Sequence, residues 1–427
     1  MDYKKFVPCI FLYQGKAIKN FADQTVLSED PVGLAKFYSD NNADELIIFD
    51  LSSEDKEHEE ALDIIKNICT FAEIPVIGAG NVHRMEDIKK LLYAGCMKAA
   101  LNYSKEENIA ITEEVSLKFG KDKIVACIAS ASEIELNEAL LIEYVEEIIL
   151  IQENTIKQAI QVTKLPLIVM LPEVSLDKLI ELLSKEAVRG ITGYAINENA
   201  KELNNIKDLC AGNGLSVRTF APAIPWSEFK LNSDGHVTVV VQDYKTLEVL
   251  MVAYMNEEAY LTTLKTGKMT YYSRSRQELW IKGATSGHYQ YVKSMTADCD
   301  KDTILAKVSQ MGAACHTGSY SCFFNEIMKK EYDETNPLKV FEDVLNVIRD
   351  RKVHPKEGSY TNYLFDKGID KILKKLGEES TEIVIAAKNP NTNEIKYEIS
   401  DFLYHMMVLM VEKGVTWEEI TTELARR

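Results

Sequence analysis

Eight short apolar runs punctuate the first 217 residues, and amphipathic text follows each of them. The runs are "FVPCIFL", "ELIIFDL", "IPVIGAG", "MKAALN", "KIVACIA", "EEIILI", "LPLIVML" and "GITGYAI". Between them lie stretches such as "PVGLAKFYSDNNA" and "MEDIKKLLYAGC", with helical spacing of their apolar residues. A short, continuously apolar run suits a strand that is covered on both faces. Eight strand–helix units predict a parallel α/β architecture, and eight is the count of a (β/α)₈ barrel. Pattern alone leaves a doubly wound sheet open.

The rhythm breaks at 218–230, "RTFAPAIPWSEFK", where two prolines mark a linker. Beyond it, "GHVTVVVQDYKTLEVLMVAYM", "MTYYSRSRQELWIKG" and "HYQYVKSMTADCD" predict an α+β domain with a mainly antiparallel sheet and one or two helices. After 336 the periodicity becomes helical in "PLKVFEDVLNVIRDRK", "LFDKGIDKILKKLGEESTEIVIAAKN", "NEIKYEISDFLYHMMVLMVEKG" and "TWEEITTELARR". The expected organisation is an N-terminal (β/α)₈-type barrel over 1–217, a central α+β domain over 218–331, and an all-α bundle of four or five helices over 336–427.

Size and composition narrow the functional classes. A chain of 427 residues fits two to four domains. With 46% apolar and 27% charged residues it reads as globular. No run approaches the roughly 18 apolar residues of a membrane span. The N-terminus has no small-residue cleavage signature, so a cytoplasmic protein without a membrane anchor is expected. The net charge of −17 and the lack of a basic stripe argue against nucleic acid as a partner. Eight cysteines in that compartment are not expected to form structural disulfides. Five of them (Cys9, Cys69, Cys96, Cys127 and Cys210) sit in apolar segments and read as small core residues.

The other three cysteines share one span with three aspartates, "TADCDKDTILAKVSQMGAACHTGSYSCFF". If 298–302 is extended, Asp298, Asp300 and Asp302 face one way and Cys299 the other. Carboxylate oxygens suit Mg²⁺ and thiolates suit Zn²⁺, so two metal sites back to back are expected. Gly318 lets "HTGSYS" turn and bring Cys315 and Cys322 together. Three thiolates favour an open zinc site that keeps a water. His316 beside Cys315 either completes that shell or acts as a base. The competing readings are a solvated strand face for the aspartates and buried apolar side chains for the cysteines. Upstream, "YYSRSRQELWIKGATSGH" carries Arg274, Arg276, Lys282, Thr285 and Ser286, a set suited to phosphate, although a charged hairpin reads the same way.

These motifs resemble phosphoribosyl-AMP cyclohydrolase over about residues 231–330. The resemblance implies Mg²⁺ on the three aspartates and zinc on the three cysteines. It further implies a homodimer in which Cys299 of one subunit joins Cys315 and Cys322 of the other. The implied reaction is opening of the adenine ring between N1 and C6 by zinc-activated water, giving the formimino-AICAR ribonucleotide. His316 is assigned as base and His288 as a substrate contact.

In "LGEESTEIVIAAKN" the residues Glu378, Glu379 and Glu382 are helical neighbours, and in "NEIKYEISDFLYH" so are Glu398 and Asp401. Like charges so placed weaken a helix, and two such helices joined at "NPNTN" pool their carboxylates into a cage for Mg²⁺ and a substrate phosphate. The apolar faces (Ile383, Ile385, Ala386; Phe402, Met406, Leu409) are expected to be buried. Acidic helices with a merely solvated face are the alternative. The E-x-x-E and E-x-x-D pattern, with "GSYTNYLFDKG", resembles phosphoribosyl-ATP pyrophosphohydrolase over 336–427. The resemblance implies Mg²⁺ on Glu379, Glu382, Glu398 and Asp401, with Glu378 as a further ligand or base and Glu379 and Glu382 catalytic. Lys374, Lys375 and Lys388 are candidates for holding phosphates. The product of this domain is the substrate of the other.

The first half resembles the histidine-biosynthesis barrels, especially the imidazole glycerol phosphate synthase cyclase subunit. Phe11 and Ala129 stand where that family has its two aspartates, and "VMLPEVS" replaces a glycine-rich phosphate loop. Asp50 matches a strand-end position but lacks its partners. A catalytically silent barrel is expected. A retained ligand site, with a phosphate nest at Gly78, Gly80 and Gly95, competes with that reading. The overall expectation is a bifunctional, nucleotide-binding hydrolase; the alternative is a scaffold that kept the folds and lost the chemistry.

Overall fold

The strands Lys5–Val7 and Cys9–Tyr13 are one strand interrupted at Pro8, and together they close a ring. The computed structural model describes residues 3–173, 175–219, 222–331, 336, 339–390 and 392–425. Parts of "VMLPEVS", of the 218–230 linker, of the "PLKV" helix start, of "NPNTN" and of the final "ARR" lie outside those residues. The first half of the interrupted strand pairs in parallel with Val188–Thr192, and the second half with Leu46–Asp50. Proline has no N–H for the ladder, but the Pro8 carbonyl still accepts from the Ile47 amide at 3.1 Å. Parallel pairing continues through Val76–Ala79, Lys98–Asn102, Ile124–Ile128, Glu147–Leu150 and Leu167–Met170, then back to Val188–Thr192. Each of the eight apolar runs supplies a barrel strand, and the doubly wound alternative falls away. A short antiparallel extension, Lys16–Ile18 and Val26–Ser28, follows the first strand.

Strand alternation then sorts the side chains. Val7, Cys9, Phe11, Ile47, Phe49, Ile77, Val125 and Ile149 fill the barrel interior. Their neighbours Phe6, Ile10, Leu12, Leu46, Ile48, Ala126 and Ile148 pack under the helices. Each such side chain stabilises by about 1.5–3 kcal/mol when fully buried. Cys9, Cys96, Cys127 and Cys210 are buried as expected; Cys69 is only half-buried, with its sulfur 3.9 Å from that of Cys96.

The central sheet has the order Val249–Met255, Val237–Asp243, Thr303–Gln310, Gln290–Ala297. The outer pairings are antiparallel and the middle one is parallel. A separate hairpin, Thr270–Ser273 with Glu278–Ile281, and one helix, Glu257–Thr266, complete it. Barrel and sheet belong to one compact unit, Met1–Glu326. Polar contacts join them. Lys293 meets Asp40 and Glu73, each at 2.9 Å, Lys36 donates to Ser309 at 3.1 Å, and the Tyr244 hydroxyl donates to Glu73.

The second unit, Ile327–Arg427, is helical. Its described helices are Val340–Val353, Tyr360–Lys367, Ile369–Ala386, Thr392–Lys413 and Trp417–Ala425. Leu345, Ile348, Leu364, Ile372, Met407, Val408 and Met410 form its core. Of the apolar faces expected to be buried, Ala386 is, whereas Ile383, Phe402, Met406 and Leu409 are half-buried. Ile385 is corrected: it is 60% exposed, because the helix turns that side away from its neighbours within the unit. No described helix is long and apolar enough to cross a membrane.

Candidate active sites

Residues 298–302 are not a strand. They form the turn between Gln290–Ala297 and Thr303–Gln310, so the alternation argument is corrected. The reason is local hydrogen bonding. The Asp298 carboxylate accepts from the amides of Asp302 at 3.0 Å and Thr303 at 3.2 Å, and Lys301 takes the left-handed conformation (φ 61°). An aspartate that bonds the backbone ahead of it favours a turn over an extended chain. The turn still gathers the acids. One oxygen each from Asp298, Asp300 and Asp302 lies within 4.8 Å of the others, all three residues being exposed. Lys230 reaches Asp300 at 3.0 Å and holds its carboxyl below the usual range. Lys230 escaped the sequence reading because it lies far from Asp300 along the chain, at the end of the linker.

Cys315 and Cys322 line one cavity of about 450 Å³ together with Lys282, Thr285, Ser286, His288 and His316. A tight turn brings the sulfurs there. The Gly318 amide donates to the Cys315 carbonyl at 3.1 Å, and the Cys322 amide docks on the Leu250 carbonyl at 2.8 Å. Gly283 (φ 88°) closes the opposite wall, where a Cβ would sit 2.4 Å from the His288 backbone. Thr317 donates to the Cys315 sulfur at 3.1 Å and lowers that thiol's pKa; burial, then Cys315, pushes Cys322 up. The Lys282 ammonium is buried and donates to the Ala314 carbonyl at 2.6 Å; burial depresses its pKa, opposed by the two thiols. His288 Nδ1 donates to the Ala313 carbonyl at 3.1 Å. Arg274 and Arg276 do not line this cavity. Arg274 packs 3.8 Å over the Tyr254 ring, and Arg276 pairs with Glu278 at 3.2 Å. Cys299 is exposed in the aspartate turn, and among the described residues no single group gathers it with Cys315 and Cys322.

In the helical unit, Glu379 and Glu382 from Ile369–Ala386 meet Glu398 from Thr392–Lys413, one oxygen of each within 4.8 Å of the others. Glu379 is buried and Glu398 half-buried. Burial first, then Glu382, Glu379 and Asp401, raises the Glu398 pKa. Glu378 and Asp401 stand outside this group of three. Glu378 pairs with Lys375 at 3.0 Å and Lys374 at 3.5 Å, and Lys375 also takes Glu379 at 2.9 Å. Lys388 is exposed in the turn after the helix. Sequence reading missed His405, which is buried with its Nδ1 3.6 Å from Glu379. The available signal was a histidine four residues after Asp401 on the same helix.

The barrel mouth is different. Phe11 stacks on Phe49 at 5.2 Å and meets Phe21 edge-on at 4.7 Å, so an aromatic plug stands where the resembled family has an acid. Asp50 is consumed internally, accepting from Ser52 and contacting His58 Nδ1 at 2.6 Å. Ala129 donates its amide to Glu133 at 3.0 Å. Gly80 (φ 88°) passes so close to Asp50 that a Cβ would lie 2.1 Å from its carbonyl oxygen, and at Gly78 a Cβ would lie 2.9 Å from Cys96 and Leu91. Both glycines thus have packing reasons. A cavity of about 1430 Å³ remains at this end, with Lys157, Lys178 and Glu153 on its wall.

A cavity lined by thiols and histidines, a carboxylate turn at the other end of the same hairpin, and a carboxylate group in the helical unit are the donor sets of a metal-dependent hydrolase with two candidate sites. Three family models match in sequence order: histidine biosynthesis protein over 5–167, phosphoribosyl-AMP cyclohydrolase over 251–324, and phosphoribosyl-ATP pyrophosphohydrolase over 341–427. The chain is 53% identical over 209 residues to the histidine biosynthesis bifunctional protein HisIE of Thermoanaerobacter pseudethanolicus, covering 46% of this chain and 97% of that one. The protein of the same name from Bacillus subtilis is 46% identical over 200 residues, 47% of this chain and 95% of the relative. The chain belongs to this bifunctional histidine-biosynthesis family, and it carries a further histidine-biosynthesis domain at its N-terminus. It is an enzyme with a cyclohydrolase domain and a pyrophosphohydrolase domain.

Proposed function

We propose that the chain runs two consecutive steps: phosphoribosyl-ATP to phosphoribosyl-AMP and pyrophosphate in the helical unit, then ring opening of phosphoribosyl-AMP in the thiol cavity. The observation that carries this reading is that each group of candidate ligands falls within the segment matched by its own family model. The donor sets fit the ions. Clustered carboxylates suit Mg²⁺, and thiolates with histidines suit zinc. Glu379, Glu382 and Glu398, with Asp401 beside them, would hold Mg²⁺; Asp298, Asp300 and Asp302 would hold it in the turn. Cys315 and Cys322 would hold zinc together with Cys299 of the partner subunit. Zinc supplies the lowered water pKa that makes a nucleophile near neutral pH. His316, exposed beside Cys315, takes up the proton. His288, with Nδ1 committed to Ala313, offers Nε2 to the substrate. Lys282, Thr285 and Ser286 bind its polar groups. Arg274 and Arg276 reach phosphate only by leaving Tyr254 and Glu278.

A homodimer is part of this reading, supported by the exposure of Cys299 outside the thiol cavity and by the exposure of Val384, Ile385 and Tyr397 of the helical unit, each 60% or more. Such apolar side chains suit a subunit contact. The barrel, 1–217 in this reading, is non-catalytic and serves as the platform that Lys293, Lys36 and Tyr244 tie to the central sheet. The test is to incubate the intact chain with phosphoribosyl-ATP, Mg²⁺ and Zn²⁺, and to follow pyrophosphate and the ring-opened product. A folded chain that forms neither is the scaffold of the alternative reading, and the proposal is then wrong. Deleting the barrel should leave both chemistries in protein that folds.

A further inference from the structure

Lys207 stands on the barrel helix Leu203–Gly212, and its side chain is 2% exposed. Its ammonium donates to the Asn42 carbonyl at 2.8 Å and pairs with Asp44 at 2.7 Å. An ammonium has three hydrogens. Among the described residues the third finds only the face of Phe6, 5.7 Å to the centroid. Arg218, where the linker begins, is exposed, and among the described residues its guanidinium has neither a hydrogen bond nor an ion pair. Lys207 and Arg218 together line two small cavities, of about 240 and 170 Å³. The second also takes in Lys293 and Glu73, which answer each other at 2.9 Å. Positive charge is thus left over where the two cavities meet. Burial lowers the Lys207 pKa, Asp44 opposes that, and Arg218 adds to it. A third cavity, of about 440 Å³, shares Leu264 with the first and Lys293 with the second. Its wall is largely apolar: Phe229 and Tyr260 meet edge-on at 5.5 Å, and Leu264 and Met295 continue it.

We propose that this seam between the barrel and the central sheet binds a phosphate monoester with an aromatic body, of the nucleoside monophosphate class. The phosphate lies between Lys207 and Arg218, and the ring enters the apolar chamber. A phosphate monoester carries about two negative charges near neutral pH. That answers both the third Lys207 hydrogen and the guanidinium, which grips such oxygens in pairs. A carboxylate has a single charge for two cations. Phe229 and Tyr260 offer the ring an aromatic wall. Lys207 belongs to the barrel, whereas Tyr260 and Leu264 belong to the helix Glu257–Thr266 of the central domain. One ligand would therefore touch both. Asn42 and Asp44 precede the strand Leu46–Asp50, so the site lies at the strand-start end of the barrel, away from its mouth. It is also separate from the thiol cavity and from both carboxylate groups.

Equilibrium dialysis of the intact, metal-loaded chain against radiolabelled 5′-AMP reads the site, with adenosine and inorganic phosphate as competitors. Arg218→Ala should weaken one class of AMP sites about ten- to a hundredfold, the scale for losing a charged hydrogen-bond partner. Pyrophosphate release and ring opening should stay as in wild type. Lys207→Met combined with Asp44→Asn removes the buried cation without stranding its carboxylate, and should weaken the same sites. Leu264→Trp fills the chamber and should weaken AMP while sparing inorganic phosphate. AMP should raise the unfolding temperature of the wild-type Met1–Glu326 unit within the whole chain, and Arg218→Ala should lose that rise. AMP binding that is absent from wild type, or equal in wild type and Arg218→Ala, overturns the site. Adenosine that competes as well as AMP overturns the role of the two cations. Inorganic phosphate that competes as well as AMP overturns the aromatic class of ligand.

Discussion

The barrel and the helical unit treat buried charge in opposite ways. In the barrel, Lys207 meets Asp44 at 2.7 Å, Lys5 meets Glu45 at 2.6 Å, and Asp50 is held by Ser52 and His58. In the helical unit, buried Glu379, exposed Glu382 and half-buried Glu398 gather together, and Lys375 and His405 answer Glu379 alone of the three. Charges paired with an opposite partner in this way read as internal structure. Like charges held together destabilise the apo fold, and that destabilisation is relieved by a cation. The aspartate turn lies between the two: exposed, and partly answered by Lys230.

The sharpest way to break this contrast is to remove one member of each unpaired group. Glu382→Gln should cut pyrophosphate release about 10²–10³-fold, the scale for losing one preorganised charge in a reacting site, while ring opening of supplied phosphoribosyl-AMP continues. Cys322→Ser should do the reverse. A soluble variant of either kind that loses both activities contradicts two independent sites. The shared zinc makes a stricter demand. Mixing inactive Cys299→Ser with inactive Cys322→Ser and allowing subunits to exchange should restore about a quarter of the ring-opening rate, since half the dimers are mixed and each holds one intact site. No recovery after demonstrated exchange means that each subunit builds its own site.

The barrel supplies the smaller, opposite result. Asp50→Asn removes the charge that His58 and Ser52 surround, at a cost of about 1–3 kcal/mol for a disturbed buried hydrogen bond. Denaturant unfolding should register the loss, and both activities per folded molecule should hold. Loss of activity at full stability would return a catalytic role to the barrel mouth.

How much of this was legible depended on how local the cause was. Eight apolar runs fixed eight strands because a strand buried on both faces needs apolar residues throughout. Glu379, Glu382 and Glu398 were legible because helical spacing and a short connection determine which side chains meet. The aspartate turn misled. Alternation assumes an extended chain, and Asp298 bonding forward to Asp302 and Thr303 overrides it. Lys230 on Asp300, Tyr360 on His405 and the barrel's hold on Lys293 were not legible, since each joins residues far apart along the chain. The contact of Arg274 with Tyr254 belongs with them: residue type suggested phosphate, and an aromatic face across the sheet took the guanidinium.

The finest test concerns the pH at which the unpaired group fills. Glu398 has its pKa raised by burial and by its acidic neighbours. A carboxyl with a raised pKa keeps its proton to higher pH, and a protonated carboxyl does not ligate Mg²⁺. The acid limb of pyrophosphate release should therefore lie above the ordinary glutamate range and move to lower pH as Mg²⁺ is increased, because the cation competes with the proton for the same oxygens. The stability linkage has the matching sign. A raised folded-state pKa means that the metal-free helical unit loses stability as pH rises through it, and added Mg²⁺ should cancel that loss. Glu382→Gln removes one of the charges that raise Glu398, so the metal-free pH dependence should shrink, read from thermal unfolding across pH. A metal-free helical unit whose stability is flat through that range has no unpaired charge to relieve, and the contrast with the barrel disappears.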